Sequence, residues 1–256
     1  MPNDCVSYQE SGFFSDLIID YLNQKENLKP LYNRFPSLEN FENQILEKSK
    51  NFDKNKRKTL VANLEQQYVG INKSELTLKN IKSLLDNNTF TITTGHQLNL
   101  FTGPIYFLYK IVTVINLCKD LKSKYPSNNF VPVYWMATED HDFEEINFFN
   151  YNDKKIIWNS NQTGAVGRYS TSGLEQVFKV IETELGIGKD AEYLKKIFQK
   201  SYLENDNLAN ATRFLANELF GKYGLVIIDG DNKELKREFI PYIENELIDQ
   251  QSGCIS

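Results

Sequence analysis

The segment TFTITTGHQLNLFTGPIYFLYK, residues 89–110, contains the clearest indication of the architecture of this chain. Its first five residues are β-branched or aromatic without a break, which predicts a strand buried in a sheet. Two glycines then mark a loop, and Pro104 stands where the first turn of a helix tolerates proline. Apolar residues recur every three or four positions over residues 105–121, so the sequence predicts an amphipathic helix there.

Strand and helix patterns alternate along the rest of the chain. FVPVYWM, residues 130–136, is almost continuously apolar and predicts a second buried strand, although Pro132 argues against a central position in the sheet. The remaining predicted elements are a short strand at 154–158 (KKIIW), three helices within 172–221, a third buried strand at 224–229 (GLVIID) and a capped helix from Asp231. Consecutive strand, helix and strand form a right-handed crossover, so we predict an α/β fold with a Rossmann-like parallel sheet.

The first 86 residues are polar and have helical patterns instead. We therefore predict a helical segment at 1–86 and a Rossmann-like core at 87–256, with a helical insertion at about 172–221. The basic run at 54–58 (KNKRK) is interpreted as a solvated helix face, which is more common than a nucleic-acid site.

The composition excludes several classes of protein. A chain of 256 residues with 41% apolar and 25% charged residues is typical of a globular protein. The net charge of -5 attracts neither nucleic acid nor an anionic membrane, and we expect neither as a partner. Three cysteines at unrelated spacings form no disulfide framework, and the N-terminus has no signal-peptide pattern, so we expect a cytoplasmic protein.

Three loops hold the candidate functional residues. Ligands of an open parallel sheet bind beyond the carboxyl ends of its strands. This rule selects TTGHQLNLFTGP (93–104), ATEDHDFEE (137–145) and DGDNKE (229–234). The two histidines of the chain, His96 and His141, fall in the first two loops, so we expect them at one edge of the sheet.

The first loop has the parts of a cradle for an anion or phosphate. Its glycines let backbone N–H groups approach a ligand, its threonines supply hydroxyls, and a helix begins just after it. It has no Walker or dinucleotide motif, and the alternative is a connecting turn that is rich in glycine. Lys110 is a candidate phosphate ligand or a solvated lysine. The candidates in this region are Thr94, Gly95, His96, Gln97, Asn99, Thr102, Gly103 and Lys110.

The second loop places five acids and one histidine within seven residues. The acids are Glu139, Asp140, Asp142, Glu144 and Glu145. We expect them to raise the pKa of His141 and of some neighbouring carboxyls, which suits acid/base catalysis or the binding of an amine. A divalent cation bound through oxygen and a capped helix start are the alternatives, and we assign no metal.

The third loop and a distant arginine complete the set of candidates. Asp229 and Asp231 are suited to hold a ribose hydroxyl or an amine, and capping of a helix is the alternative for Asp231. Arg168 in GAVGRYS is flanked by glycine and is a candidate for gripping a carboxylate or phosphate with its planar fork.

The chain resembles the bacillithiol-synthesis cysteine ligases, the BshC family. The resemblance rests on TTGHQLNLFTGPIYFLYK (93–110), VPVYWMATEDHDFEEI (131–146) and YGLVIIDGDNKELK (223–236). It implies a Rossmann-like core similar to the nucleotidylyltransferases with a HIGH signature, and a coiled-coil arm through which full-length members form homodimers. It also implies that glucosaminyl-malate and cysteine are the substrates, joined in the last step toward bacillithiol.

Carried over by position, the resemblance places the HIGH-like contact at 94–97 (TGHQ) and the floor of the pocket at 101–104 (FTGP). Asp140, His141 and Asp142 would face the same pocket, where His141 would remove a proton from the glucosamine amine as it attacks an activated cysteine carboxyl. ATP is the expected activator, although no KMSKS-like segment is present.

The resemblance covers nearly all of this chain but only about the first half of a family member. We therefore expect a truncated chain that lacks the coiled coil and the end of the core. Two alternatives stay open: a nucleotidylyltransferase-like enzyme for another small molecule, and a fragment that binds ligand without turning it over.

Overall fold

A computed structural model describes residues 5–51 and 53–250. The chain divides into two compact units, residues 1–51 and residues 52–256. The elements of the first unit are α1 (Tyr8–Ser11), α2 (Asp16–Leu22), a 3-10 turn (Glu26–Leu31) and α3 (Phe41–Asn51). Helix α1 begins with a capping box in which Ser7 and Glu10 each accept a hydrogen bond from the backbone N–H of the other.

The second unit contains the strands and the remaining helices. The strands are β1 (Thr89–His96), β2 (Asn129–Met136), β3 (Phe148–Tyr151), β4 (Lys154–Ile157) and β5 (Val226–Asp229). The helices are α4 (Lys54–Gln67), α5 (Glu75–Ser83), α6 (Tyr106–Lys124), α7 (Phe143–Ile146), α8 (Leu174–Glu184), α9 (Lys189–Phe198), α10 (Leu208–Phe220), α11 (Lys233–Arg237) and α12 (Ile240–Glu244). Short 3-10 turns lie at Val166–Arg168 and Gly221–Tyr223, and π turns at Gln199–Leu203 and Asn245–Asp249.

Strands β1, β2 and β5 form a parallel sheet in the order β1-β2-β5, with helices on both faces. On one face the ring of Phe107 in α6 contacts that of Tyr134 in β2 at a centroid distance of 5.4 Å. On the other face Leu64 of α4 and Val133 of β2 line one small cavity. Successive side chains of a strand point to opposite faces, so α4 and α6 cover different sides of the sheet. The predicted Rossmann-like α/β fold is confirmed.

Strand β1 lies at an edge of the sheet and differs from its prediction. Among the residues that the structure describes it pairs with β2 alone, and the side chains of Thr91 and Thr93 are exposed. The prediction of a buried strand is therefore wrong for β1 and right for β5, where Val226, Ile227 and Ile228 are all buried. Threonine is β-branched and favours a strand whichever way it faces, so the run at 89–93 predicted the strand but not its burial.

Strand β2 is central despite Pro132. Strand β5 pairs with β2 only over the four residues from Val133 to Met136. Pro132 therefore lies in a part of β2 that has a neighbouring strand on one side, where a missing N–H is tolerated.

The backbone groups on the outer edge of β5 form hydrogen bonds with the side chains of Gln67, the last residue of α4, and of Tyr68, which follows it. The hydroxyl of Tyr68, which follows α4, accepts the N–H of Ile227 at 2.8 Å. The Gln67 amide accepts the N–H of Asp229 at 2.9 Å and donates to the carbonyl of Asp229 at 3.1 Å. These three bonds stand where a further strand would pair, and they fix the end of β5.

Two helix starts and one basic residue differ from expectation. Helix α6 begins at Tyr106, two residues after the proposed first position at Pro104. Helix α11 is capped by Asn232, whose side chain accepts two backbone N–H groups, so the predicted cap at Asp231 is wrong. Arg57 is buried and donates to the carbonyls of Leu84 and Thr89, so the solvated-face interpretation of the run at 54–58 does not hold for it.

The short strand at KKIIW is confirmed as β4, and the three helices within 172–221 are confirmed as α8, α9 and α10. Strand β3 pairs with β4 in an antiparallel hairpin and was not predicted. Its residues directly follow the acidic loop, so the hairpin carries one wall of the candidate site described next.

Candidate functional site

The register of the sheet brings the three candidate loops to one edge. His96, the last residue of β1, pairs with Met136, the last residue of β2, and Met136 pairs with Asp229, the last residue of β5. The three strands therefore end side by side, as ligand binding at an open parallel sheet requires.

A direct hydrogen-bonded link joins the first two loops. The side-chain amide of Gln97 donates to Asp140 Oδ2 at 2.9 Å and to Glu145 Oε2 at 2.7 Å. One uncharged residue of the first loop thus holds two carboxylates of the second, and both N–H groups of its amide are used.

Asp140 organises the start of the acidic loop. Its Oδ1 accepts the N–H of Asp142 at 3.0 Å, and its carbonyl accepts the N–H of Val166 at 2.7 Å. Burial acts to raise the pKa of Asp140, but the hydrogen bonds from Asp142, Gln97 and His141, with the nearby His141 charge, outweigh it. The pKa of Asp140 therefore lies below its ordinary value, although the clustering of acids alone would raise it.

His96 is packed as a core residue. It is 8% exposed, and its ring contacts Tyr106 and Phe107 at centroid distances of 5.4 and 5.3 Å. Nδ1 lies 2.9 Å from the carbonyl oxygen of Gln97, which can only accept, so Nδ1 carries the proton and Nε2 is left as an acceptor. Burial lowers the pKa of His96, the Gln97 carbonyl opposes this, and the charge of Lys110 adds to the lowering.

His141 lies in the opposite environment. It and Asp142 are exposed, and they directly follow the partly buried Asp140. Helix α7 begins at Phe143, and its N-cap residue Asp142 makes no side-chain capping bond. Capping therefore does not engage the Asp142 carboxylate, which is available to a ligand.

A cavity of about 790 Å³ lies between the two loops, and we call it the acidic cavity. Its polar wall comes from both loops and from the β3–β4 hairpin. The residues that line it are Gln97, Asn99, Gly103, Pro104, Tyr106, Asp142, Glu144, Glu145, Phe148, Phe149 and Asn150. Three of these are acids, and among the described lining residues none is Lys or Arg. The cavity therefore has the electrostatic character of a site for a cationic group such as an ammonium.

The floor of the acidic cavity depends on a close contact between Asn99 and Gly103. A Cβ at Gly103 would lie 2.4 Å from the Asn99 Cβ, and Gly103 has a φ of 54°. Only glycine fits both the space and the left-handed backbone. The Oδ1 of Asn99 is buried and has no hydrogen-bond partner within the described part of the chain.

A separate charged cluster lies at the end of β5. Asp229 accepts hydrogen bonds from the Thr138 hydroxyl and from the N–H of Asp231, and the Arg213 guanidinium lies 3.7 Å from its Oδ2. Arg168 donates to both oxygens of Asp231 at 2.6 and 2.9 Å. These hydrogen bonds from Arg168 lower the pKa of Asp231.

Lys236 ties this charged cluster to the acidic loop. Its Nζ lies 2.6 Å from Asp231 and 2.5 Å from Glu139. The fork of Arg168 and the charge of Lys236 are thus both engaged by carboxylates of this chain. Arg168 would have to leave Asp231 before it could grip a ligand.

Fourteen of the predicted candidates fall into five groups. Gln97, Asn99, Gly103 and Asp142 line the acidic cavity, and Asp140 and His141 belong to the loop beside it. Thr94, Gly95, His96 and Lys110 lie at the end of β1 and on α6, where Lys110 donates to the Gly95 carbonyl at 3.3 Å. Glu139, Arg168 and Asp229 belong to the charged cluster, and Thr102 lines a different, apolar cavity.

Several residues of the site were not predicted from the sequence. Phe148, Phe149 and Asn150 follow the acidic run, but they were not recognised as a strand that folds back over the loop. Gln67 comes from α4, far from the loops in sequence, and nothing in the pattern of that helix marks it.

Within residues 5–51 and 53–250, no three His, Cys, Asp or Glu side chains come close enough together to hold a metal ion. In the same residues no helix combines the length and apolarity needed to cross a bilayer.

A parallel sheet covered by helices on both faces, with a cavity beyond its strand ends, defines this chain as a Rossmann-like α/β domain. Residues 1–254 match the family described as "Bacillithiol biosynthesis BshC, N-terminal Rossmann-like domain". The chain belongs to that family.

Curated relatives agree with this assignment. A protein named "Putative cysteine ligase BshC" from Flavobacterium psychrophilum is 64% identical over 254 residues, which are 99% of this chain and 48% of that protein. Proteins of the same name from Christiangramia forsetii and Bacillus thuringiensis are 57% and 28% identical, over 98% and 89% of this chain and 48% and 43% of their own lengths. The chain thus spans about half the length of the curated relatives it matches.

Proposed function

We propose that this domain carries the amine-binding and proton-transfer part of a cysteine ligase that joins L-cysteine to glucosaminyl-malate, the last step toward bacillithiol. The observation that carries the proposal is the acidic cavity between the β1 and β2 loops, in a chain of the BshC family. The carboxylates of Asp142, Glu144 and Glu145 complement the ammonium of cysteine and the protonated amine of glucosamine. The expected compartment is the cytoplasm.

The proposed chemistry is the formation of an amide bond. The glucosamine nitrogen must lose a proton before or as it attacks the activated carboxyl carbon of cysteine, and the leaving group departs from that carbon. His141 is the proposed base, because it is exposed and lies in the loop that lines the cavity. Asp140 would stabilise the resulting imidazolium, since the His141 charge already contributes to the lowered pKa of Asp140.

His96 is proposed to shape the site instead of reacting. Its imidazole is buried against Tyr106 and Phe107, and its Nδ1 proton is held by the Gln97 carbonyl. Through Gln97 this packing fixes the residue that holds Asp140 and Glu145. His96 therefore acts as a positioning residue in this proposal.

ATP is the proposed activator of the cysteine carboxyl. The lining of the acidic cavity does not fit a triphosphate. Among the described residues it contains three acids and no Lys or Arg, so it would repel the negative charge of the phosphates. No step of the proposed chemistry in this cavity runs through ATP.

To test this, glucosaminyl-malate and L-cysteine are incubated, with and without ATP, with this domain and with the full-length F. psychrophilum relative. The formation of bacillithiol is measured by mass spectrometry. The reaction is measured again in variants that correspond to His141→Ala and Asp142→Asn. We expect both variants to lose most of the product, and Lys222→Ala, a change at an exposed lysine of the Gly221–Tyr223 turn, to leave the rate unchanged. Normal rates in both loop variants would refute the site.

Binding without turnover is the alternative, because the acidic cavity suits an ammonium group but does not fit the triphosphate of ATP. Thermal unfolding with L-cysteine and with glucosaminyl-malate distinguishes the two. A ligand that binds the native state raises the melting temperature whether or not the domain turns it over. A shift without product would assign binding alone to this domain.

A further inference from the structure

A second cavity, of about 400 Å³, adjoins the acidic cavity and has no role in the proposed reaction. We call it the apolar cavity. It lies among α6, the β3–β4 hairpin and helices α8, α9 and α10, and its walls include Ile181, Leu194, Ile197 and Leu215. Three of these four side chains are buried, and Leu194 is partly exposed.

The size of the apolar cavity points to an occupant. The cavity is a cleft that is partly open to solvent, and its walls are mostly apolar. Apolar walls take up apolar molecules. A space of about 400 Å³ falls within the range of small-molecule sites, which are mostly apolar with a few polar groups.

The polar groups of the apolar cavity offer no free charge that could pair with a charged ligand. Thr102 and Asn150 are uncharged, and the carboxylate of Glu184 is paired with Lys154 at 2.5 Å. A charged molecule would lose its hydration here without gaining a partner. Cysteine and glucosaminyl-malate are both charged, so the substrates of the proposed reaction do not fit this space.

The wall between the two cavities is a strained turn. Phe101 has a φ of 56°, which is uncommon for an aromatic residue, and its ring contacts those of Phe149 and Phe198 at centroid distances of 4.8 and 4.3 Å. Gly103 and Asn150 line both cavities. An occupant of the apolar cavity would therefore touch the same turn that forms the floor of the acidic cavity.

We propose that the apolar cavity is a binding site for an uncharged apolar small molecule, separate from the site for the polar substrates. The aromatic side chains of Phe101, Phe149 and Tyr151 near the shared wall suit an aromatic ring, and aliphatic side chains form the rest of the cavity. The proposal does not depend on the identity of the reaction.

The experiment titrates the domain with N-phenyl-1-naphthylamine, an uncharged aromatic probe whose fluorescence rises in apolar surroundings. We expect saturable binding of one probe per chain and a rise in melting temperature, because the probe binds the native state. The variant Leu194→Trp, at a half-exposed wall position, should weaken probe binding at least tenfold by filling the space.

Val180→Trp is the matched control. Val180 and Leu194 are both 42% exposed, and Val180 precedes the wall residue Ile181 on α8 but does not line the cavity. It should leave the affinity unchanged. Leu215→Phe fills the cavity from another wall and should also weaken binding, with circular dichroism as the check on folding.

Binding that does not saturate, or that is equally tight in Leu194→Trp, would overturn the proposal and assign the fluorescence to exposed apolar surface elsewhere. Absence of probe binding at the apolar cavity would not count against the proposed function, because binding of L-cysteine at the acidic cavity is measured separately. The probe is uncharged whereas L-cysteine is charged, and the variants of this test are at Leu194 and Leu215, which do not line the acidic cavity.

Discussion

The two histidines lie near the ends of neighbouring strands, but their environments are opposite. His96 closes β1, is 8% exposed and packs against two aromatic rings. His141 lies five residues beyond the end of β2, exposed and in a run of acids. Two positions near one edge of the sheet thus give one buried imidazole and one accessible imidazole. Closeness to the strand ends selects candidate residues, but burial and hydrogen bonding decide what each can do.

Gln97 connects these two environments. Its carbonyl holds the proton on His96 Nδ1, and its side-chain amide holds Asp140 and Glu145 beside His141. The backbone of Gln97 thus contacts the buried His96, and its side chain contacts the carboxylates of the exposed acidic loop. The difference between the histidines can be tested by changing each of them, and by changing the residue between them.

The largest expected effect is on activity at His141. In the full-length F. psychrophilum relative, the change that corresponds to His141→Ala should lower kcat by roughly 10²- to 10⁴-fold, because a positioned general base contributes about that much. KM for cysteine should change little, since the carboxylates of the acidic cavity remain. Steady-state kinetics measure both. An unchanged kcat would remove His141 from the proposed role and leave the two histidines different only in burial.

Stability should respond in the reverse order. His96→Ala removes a buried ring and should lower the free energy of unfolding by about 2 kcal/mol, whereas His141→Ala should change it by about 0.5 kcal/mol or less. Urea unfolding followed by circular dichroism gives both values. Equal losses in the two variants would mean that His96 is no more a core residue than His141.

Gln97→Ala should lower the free energy of unfolding by about 1 kcal/mol, since two hydrogen bonds to carboxylates are lost. Gln97→Glu should cost more near neutral pH than in mild acid, because it places a third carboxylate against Asp140 and Glu145. Gln66→Ala is the control, at an exposed glutamine of the same chain. A loss in Gln97→Ala no larger than the control's would show that the link between the loops adds nothing.

The fold was more predictable than the site. Nearly continuous apolar runs identified β2 and β5, and apolar periodicity identified α6 and the helices of the insertion, because burial of these elements depends on patterns that the sequence displays directly. The exposure of Thr91 and Thr93 was not predictable, since the edge position of β1 depends on which strands pair. The burial of Arg57 depends likewise on carbonyls of residues distant in the chain.

The candidate site was predicted as a set of loops but not as a geometry. The clustering of acids at Asp140 suggested a raised pKa, and the hydrogen bonds that lower it come partly from Gln97, 43 residues earlier. Arg168 was noticed for its glycine neighbours, but its pairing with Asp231 is set by the end of β5. Such partners are chosen by tertiary packing, which a single sequence does not display.

The smallest expected effect is on the pH dependence of stability. Burial first, and the charge of Lys110 in addition, lower the pKa of His96 from its ordinary value of 6.5. As the pH falls through that ordinary value the unfolded chain binds a proton before the folded chain does, so the free energy of unfolding should decrease. His96→Gln should lose this part of the decrease, while His141→Ala should keep it. Urea unfolding between about pH 7.5 and about pH 5.5 measures the slope on either side of the ordinary histidine value. A slope that disappears in His141→Ala and persists in His96→Gln would exchange the environments assigned to the two histidines.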